Sequence, residues 1–430
     1  MCAQAALWGA CKYLHKYRYY PKVSLPDITS MAGSMEPATR FVRPANGLSE
    51  TGMYSVLRAL GFQVYVTETQ LRNAMIDSPT EAIYTAIESG LPALLFLRFR
   101  DGGSGHAAWV VGYVGGETEA SNGVERVGDP SEPDALIEYE SASASAQPFL
   151  VHDDIVGPYL PATIAWPGVN ETSASADNHC PGDGNSSPDV PEDVEYRLAA
   201  IESQLGIVPS GETVTYYPHD NLTEPLSDLP TGHGPVVTHV VVPLPSEVFV
   251  KPPDARRMAM MLLQMGHLRA LARLAEEEDH DIGDRARTFI DDITRPDAKT
   301  GQWTPPYAFR TFLCLSARFV EHAVGSTMSE EAKQLYAYRL DLPEYVWVTE
   351  VVDPHNCHRV VAEVVMDSTD SSASLHNGFS YLALHIPGLL SFTEESRSGS
   401  WMEKTAGEVD PDCPEDAAQL KDRSIALIES

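Results

Sequence analysis

Hydrophobic positions fall into two kinds of pattern along this chain. Ala3, Ala6, Leu7, Ala10, Cys11 and Leu14 recur at helical spacing and predict a helix from Cys2 to about His15. A second helix follows Ser49 with Met53, Val56, Leu57 and Leu60 on one face, and Gly61 stops it. A third begins at Pro79 and ends near Gly90. Between and after them, apolar runs of strand length occur at Phe62 to Val66, Leu94 to Phe99, His106 to Val114 and Phe149 to Val151. Helices followed by such a run of strands predict an α+β domain with an antiparallel sheet.

From Pro167 to about Asp193 the pattern disappears. Ser, Asp, Asn, Gly and Pro dominate, which predicts a disordered acidic insertion. Glu192 to Leu205 has the spacing of one helix within it. Strand signal resumes at Val236 to Val242 and at Val248 to Val250. A long helix is predicted after Asp254, with Met258, Met261, Leu262, Met265 and Leu268 on its stripe. Pro305 to about Ala323 and Ser329 to about Arg339 read as two more helices. Val346 to Val352, Val360 to Met366 and Tyr381 to Ile386 read as strands. The expected organisation is a domain over 1–166, an acidic insertion or linker over 167–235, a mixed α/β region over 236–393 and a polar tail over 394–430. The first strand of the third part is a candidate to complete the first domain.

Charge narrows the functional classes. The 430 residues carry 61 acidic and 30 basic side chains, a net charge of −31. A duplex-binding surface needs a basic footprint, so no nucleic-acid partner is expected. An anionic membrane surface is disfavoured on the same ground. No apolar run reaches the roughly 18 residues a spanning helix requires. The six cysteines show no CxxC spacing, and no leader pattern precedes them, so a reducing, cytoplasmic setting is expected.

Three short stretches carry chemistry together. Cys2 opens the small-residue helix CAQAALW, where the helix dipole favours thiolate. His106 opens the buried strand GHAAWVVGY. Asp153 ends the strand FLVHDD, with Asp154 as the fallback, and can accept the second imidazole N–H. Each alone has an ordinary reading. Cys11 on the same helix is a core thiol, strand histidines are mostly structural, and carboxylates after strands mostly cap turns. In this order and on these elements, they form a nucleophile, base and orienting acid.

These stretches, with Gly47-Leu48-Ser49, Leu57-Arg58-Ala59-Leu60-Gly61, Gly90-Leu91-Pro92 and VHDDIVGPY, resemble the papain-like cysteine peptidase superfamily. The nearest branch is that of the bacteriocin-leader (double-glycine) processing peptidases. The resemblance spans Met1 to about Tyr159. It implies a papain-like domain with Cys2 as nucleophile, His106 as general base and Asp153 as orienting residue. It implies a peptide or protein substrate and no cofactor or metal. The family also places an oxyanion glutamine a few residues before the nucleophile. Only Met1 precedes Cys2 here, and Gln4 follows it. The expectations are a shortened N-terminus, an N-terminal Cys2 after loss of Met1, or a site without that donor, at a cost of about 100- to 1000-fold in rate. The alternative function is a catalytically impaired module of the same kind that binds a peptide or protein partner.

Weaker candidates remain. His355, Cys357 and His358, and His179 with Cys180, offer metal-type ligands without a second cluster, and loops are their ordinary reading. Glu363 and Asp367 share a strand face, which reads as a solvated one. No phosphate loop or dinucleotide fingerprint occurs.

Overall fold

The computed structural model describes residues 2–18, 20–33, 48–68, 79–98, 105–113, 124–127, 137–146, 148–154, 157–165, 195–198, 236–264, 280–294, 307–326, 330–353, 356–369, 381–387, 389–392 and 424–426. The chain divides into two units, Met1–Asn122 with Ser143–Pro245, and Gly123–Ala142 with Ser246–Ser430. Both combine helices with a largely antiparallel sheet, so the α+β class holds.

The first unit begins with α1 (Cys2–Arg18), α2 (Leu25–Gly33) and α3 (Glu50–Ala59). Leu7, Ala10, Cys11 and Leu14 form the buried stripe of α1, as the spacing predicts. Ser49 caps α3 by accepting from Gly52 N at 3.1 Å, and Gly61 ends the turn after it with a φ of 89°. Next come β1 (Gln63–Glu68), α4 (Pro79–Glu88), β2 (Ala93–Arg98) and β3 (His106–Tyr113). The following β4 (Val124–Val127) and β5 (Ile137–Ser141) belong to the second unit's sheet. The chain then returns to the first with β6 (Phe149–Asp153), β7 (Gly157–Ala165), β8 (Glu195–Leu198) and β9 (Val236–Leu244).

The first sheet runs β1-β9-β2-β3-β6-β7-β8, and β8 also touches β9 through Glu195 and Val236. The last pairing bends the sheet toward closure. β9 lies between β1 and β2, so the strand after the acidic segment sits inside this sheet. Residues 195–198 are strand rather than the expected helix: Tyr196 and Arg197 pair with Ile164 and Thr163 of β7, and that ladder overrides a weak helical period. The rest of 167–235 lies outside the described residues.

The second unit adds α5 (Pro252–Gln264), α6 (His280–Thr294), β10 (Ala308–Leu315), α7 (Ser316–Gly325) and α8 (Glu330–Gln334). A π-helical turn, Leu335–Arg339, continues α8. It is followed by β11 (Tyr345–Asp353), β12 (Asn356–Asp367), β13 (Tyr381–Ile386), β14 (Leu389–Phe392) and β15 (Ser424–Ala426). Strand order is β15-β14-β13-β12-β11-β10-β5-β4, with β5 parallel to β10. The helix expected from Pro305 is a strand first: Phe309, Thr311 and Leu313 are buried while Arg310, Phe312 and Cys314 are less so, a period of two. Val248 to Val250 is not a strand; Phe249 and Val250 donate to the Ser368 carbonyl instead. The predicted stripe beyond Gln264 and most of the tail after 393 lie outside the described residues.

One contact fixes the helical layer on the first sheet. A Cβ built on Gly9 would stand 2.7 Å from Trp109 Nε1 and 3.1 Å from Cε2, so α1 approaches β3 closely only because residue 9 is glycine. The other end of α1 is tied down as well. Arg18 donates through Nε to the Gly90 carbonyl at 3.3 Å and through Nη2 to the Ser89 carbonyl. The Tyr13 hydroxyl reaches Gly90 O at 3.4 Å. Those carbonyls end α4, so Arg18 satisfies groups that a helix C-terminus leaves bare.

The replacement Gly9→Ala tests this. Although alanine is the better helix former, overpacking against Trp109 should destabilise the fold by roughly 1–3 kcal/mol. Gly325→Ala, where a Cβ meets nothing within 4 Å, should cost nothing measurable. Urea unfolding of the two variants beside the parent checks both.

Candidate active site

His106 and Asp153 meet. The imidazole Nε2 lies 2.8 Å from Asp153 Oδ2, and the two residues are 5% and 4% exposed. The register explains why. Leu97 faces His106 across β2 and β3, and Val110 faces Val151 across β3 and β6. By strand alternation His106, Ala108, Val110, Val151 and Asp153 therefore share one face. The β6–β7 register shifts between Val151 and Asp153, beside the pair, and the β3–β6 register shifts between Val110 and Gly112, toward the other end of β3. Bulges of this kind re-aim a side chain at a strand end. Asp153 pairs with Gly157 just beyond the turn.

An ionised Asp153 only accepts, so Nε2 donates to it. The imidazole's proton-accepting lone pair is then on Nδ1, which is itself buried. Asp154 is exposed and starts the turn. Asp153 is the carboxylate bonded to the ring.

Cys2 is the first residue of α1, and its side chain lies outside the described residues. The position of the helix can still be followed from its contacts. Gly9 sits on Trp109, and the Tyr13 and Arg18 side chains reach the Gly90 turn. That turn leads into Ala93, which pairs with Val110. So α1 runs along β3 with its C-terminus at the Val110 end and its N-terminus at the His106 end. From Gly9 back to Cys2 is seven residues, about 10 Å of helix. From Trp109 back to His106 is three residues, about 10 Å of strand. Cys2 and His106 thus begin their elements toward the same end of β3. Trp109 faces α1, so His106 belongs to the opposite face by alternation.

The remaining candidates separate clearly. Gln4 donates through Nε2 to Thr29 Oγ1 of α2 at 2.9 Å. Cys11 is buried in α1, and burial pushes its thiol up to about 12. It is the inert core cysteine the spacing predicts. His179, Cys180 and His355 lie outside the described residues, as do the side chains of Cys357 and His358. Glu363 corrects the expected solvated face: it is 5% exposed and accepts from the Tyr336 hydroxyl at 3.2 Å. Sequence reasoning missed the anchoring roles of Gly9 and Arg18. A glycine among alanines in a helix was the available signal for the first.

His106, Asp153 and Asp154 also bring three ligand-type atoms within 4.8 Å of one another, the one such group among the described residues. Within that group His106 Nε2 is bonded to Asp153. His152, which faces Trp109 across β3 and β6, stacks between that ring (4.8 Å between ring centres) and Tyr159 (4.5 Å). Burial holds its pKa below the ordinary value. It belongs to the opposite face and not to the pair.

Comparison with protein-family models, with curated proteins and with solved structures finds no match for this chain.

The pair itself yields a stability prediction. Asp153→Ala strands a buried imidazole N–H and should cost roughly 2–4 kcal/mol. Asp153→Asn keeps an acceptor and should cost less than half of that. Asp154→Asn, at an exposed turn, should stay within about 0.5 kcal/mol of the parent. Chemical denaturation of the three variants reads the order.

Proposed function

We propose that the first unit is a cysteine peptidase or related thiol acyl-transfer hydrolase of the papain-like kind, acting on a peptide or amide. Cys2 is the nucleophile, His106 the general base and Asp153 the orienting residue. The observation that carries this reading is the buried 2.8 Å bond between His106 and Asp153 at the strand end where α1 begins. The order of Cys2, His106 and Asp153 in the chain supports it, together with the place of Cys2 as first residue of α1.

The chemistry follows from that arrangement. Asp153 holds the ring as the tautomer with its lone pair on Nδ1. Nδ1 takes the thiol proton, and the thiolate sulfur forms a bond to the substrate carbonyl carbon. The tetrahedral oxyanion collapses, the C–N bond breaks and the imidazolium protonates the departing amine. Water then attacks the thioester with His106 again taking a proton. The acid leaves and Cys2 regains its thiol. The positive end of α1 favours the thiolate in both halves.

A second reading has its own observation. Gln4, two residues after the proposed nucleophile, has its amide held by Thr29. A module of the same build that binds a peptide without cleaving it fits that fact.

Thiol reactivity separates the two without a known substrate. Iodoacetamide should label Cys2 at neutral pH many times faster than Cys11, whose thiol is buried and held to about 12. His106→Ala should slow labelling of Cys2 roughly tenfold or more, and Asp153→Asn should slow it less. Alkylation passes through no oxyanion, so a missing donor does not mask the result. Cys2 reacting like an ordinary exposed thiol, indifferent to His106→Ala, would favour the binding module. Mass spectrometry of the labelled peptides gives each rate.

A further inference from the structure

A row of charged side chains crosses the second sheet, far from anything the proposed hydrolysis uses in sequence. Arg310 of β10 pairs with Glu350 of β11, Glu350 with Glu363 of β12, and Glu363 with His385 of β13. Direct cross-strand partners share a face, so all four project to one side. That side is apolar around them. Val348 and Val365, next along the same face, join a core with Phe319 of α7 and with Leu335 and Tyr336 of the π-helical turn. Glu350 and Glu363 are each 5% exposed.

Two carboxylates directly opposite each other repel, and more strongly away from water. Arg310 answers for one of them. It donates to Glu350 Oε2 from Nε at 2.9 Å and from Nη2. The guanidinium is thus committed to Glu350. What faces Glu363 is the Glu350 carboxylate on one side, the His385 ring on the other and the Tyr336 hydroxyl above. Two ion pairs lie on the covering helices among the described residues. Arg318 pairs with Glu321 on α7, and Lys333 with Glu330 on α8. Asp367, four residues along β12, accepts from Thr369 N and Oγ1.

We propose that this row is a proton-operated latch: Glu363 binds one proton, the repulsion between the two glutamates vanishes, and β11 to β13 are held more tightly with the π-helical turn. Burial first, then Glu350, pushes the Glu363 carboxyl up to about 7, with His385 and Tyr336 acting in the other direction. Tyr336 is itself pushed well above its ordinary value by burial, so it stays a neutral donor throughout. The folded value thus lies above the unfolded one. The stabilisation is full below about 4.5 and is lost as pH rises through about 7. The latch is closed on the acid side and loosened on the alkaline side.

Hydrogen exchange of the full chain, read peptide by peptide, tests this. After correction for intrinsic rates, protection of β11, β12 and β13 should fall about tenfold or more between about pH 5.5 and about pH 8. Glu363→Gln, which mimics the protonated form, should abolish that fall and match or exceed the parent at the higher pH. Peptides from β2 and β3 should be unaffected by the substitution. A parent whose protection is flat, or a variant with the same fall, overturns the proposal. A variant less protected than the parent at both pH values overturns it too, by placing the proton on His385. If Glu363→Gln does not fold, carbon-13 glutamate spectra of the parent decide: one side-chain carboxyl titrating near neutrality supports the latch, and none above about pH 5.5 removes it.

Discussion

The approach of α1 to β3 at Gly9 fixes where the beginning of the chain lies, and the candidate site depends on it. A side chain at residue 9 would meet the Trp109 indole, so the helix can settle at that depth only with glycine there. Arg18 then holds the other end on the carbonyls that close α4. Two anchors along one helix set both its direction and its position along β3. Cys2 and His106 then begin their elements toward the same end of β3. The place of α1 on β3 is thus a consequence of packing between a small residue and a large one.

Buried carboxylates set the second theme. Asp153 is answered by an imidazole, and Glu350 by a guanidinium. Glu363 faces a hydroxyl, a histidine ring and another carboxylate, so proton binding is its route to neutrality. Both sheets therefore carry ionisable side chains inside. In the first the carboxylate is paired with a histidine, and in the second the arrangement links a proton to stability.

Much of this could be read from the chain before any coordinates. The Leu7–Leu14 stripe, the Ser49 cap and the strand at His106 rest on local periodicity, and local periodicity is what a sequence displays. The His106–Asp153 pairing was legible because both residues sit at strand ends. What was hidden depends on distant partners. β10 begins where Pro305 and a following helix suggest helix, and only pairing with β11 makes Phe309, Thr311 and Leu313 an inward row. β8 owes its strand to β7. β4 and β5 leave one sheet for the other through a parallel pairing with β10, which no local pattern announces. Glu363 looked solvated because an acidic residue on a strand usually is; its burial is decided by Tyr336, 27 residues earlier.

The distance between the Cys2 sulfur and the His106 ring tests the central claim most directly. Treatment of the native chain with 1,3-dibromoacetone, followed by digestion and mass spectrometry, measures it chemically. The reagent joins two nucleophiles only when three carbons can span them. The account predicts a single bridge between the Cys2 and His106 peptides, lost when the protein is unfolded before treatment. Alkylation of Cys2 alone, or a bridge from Cys2 to any other residue, would contradict it.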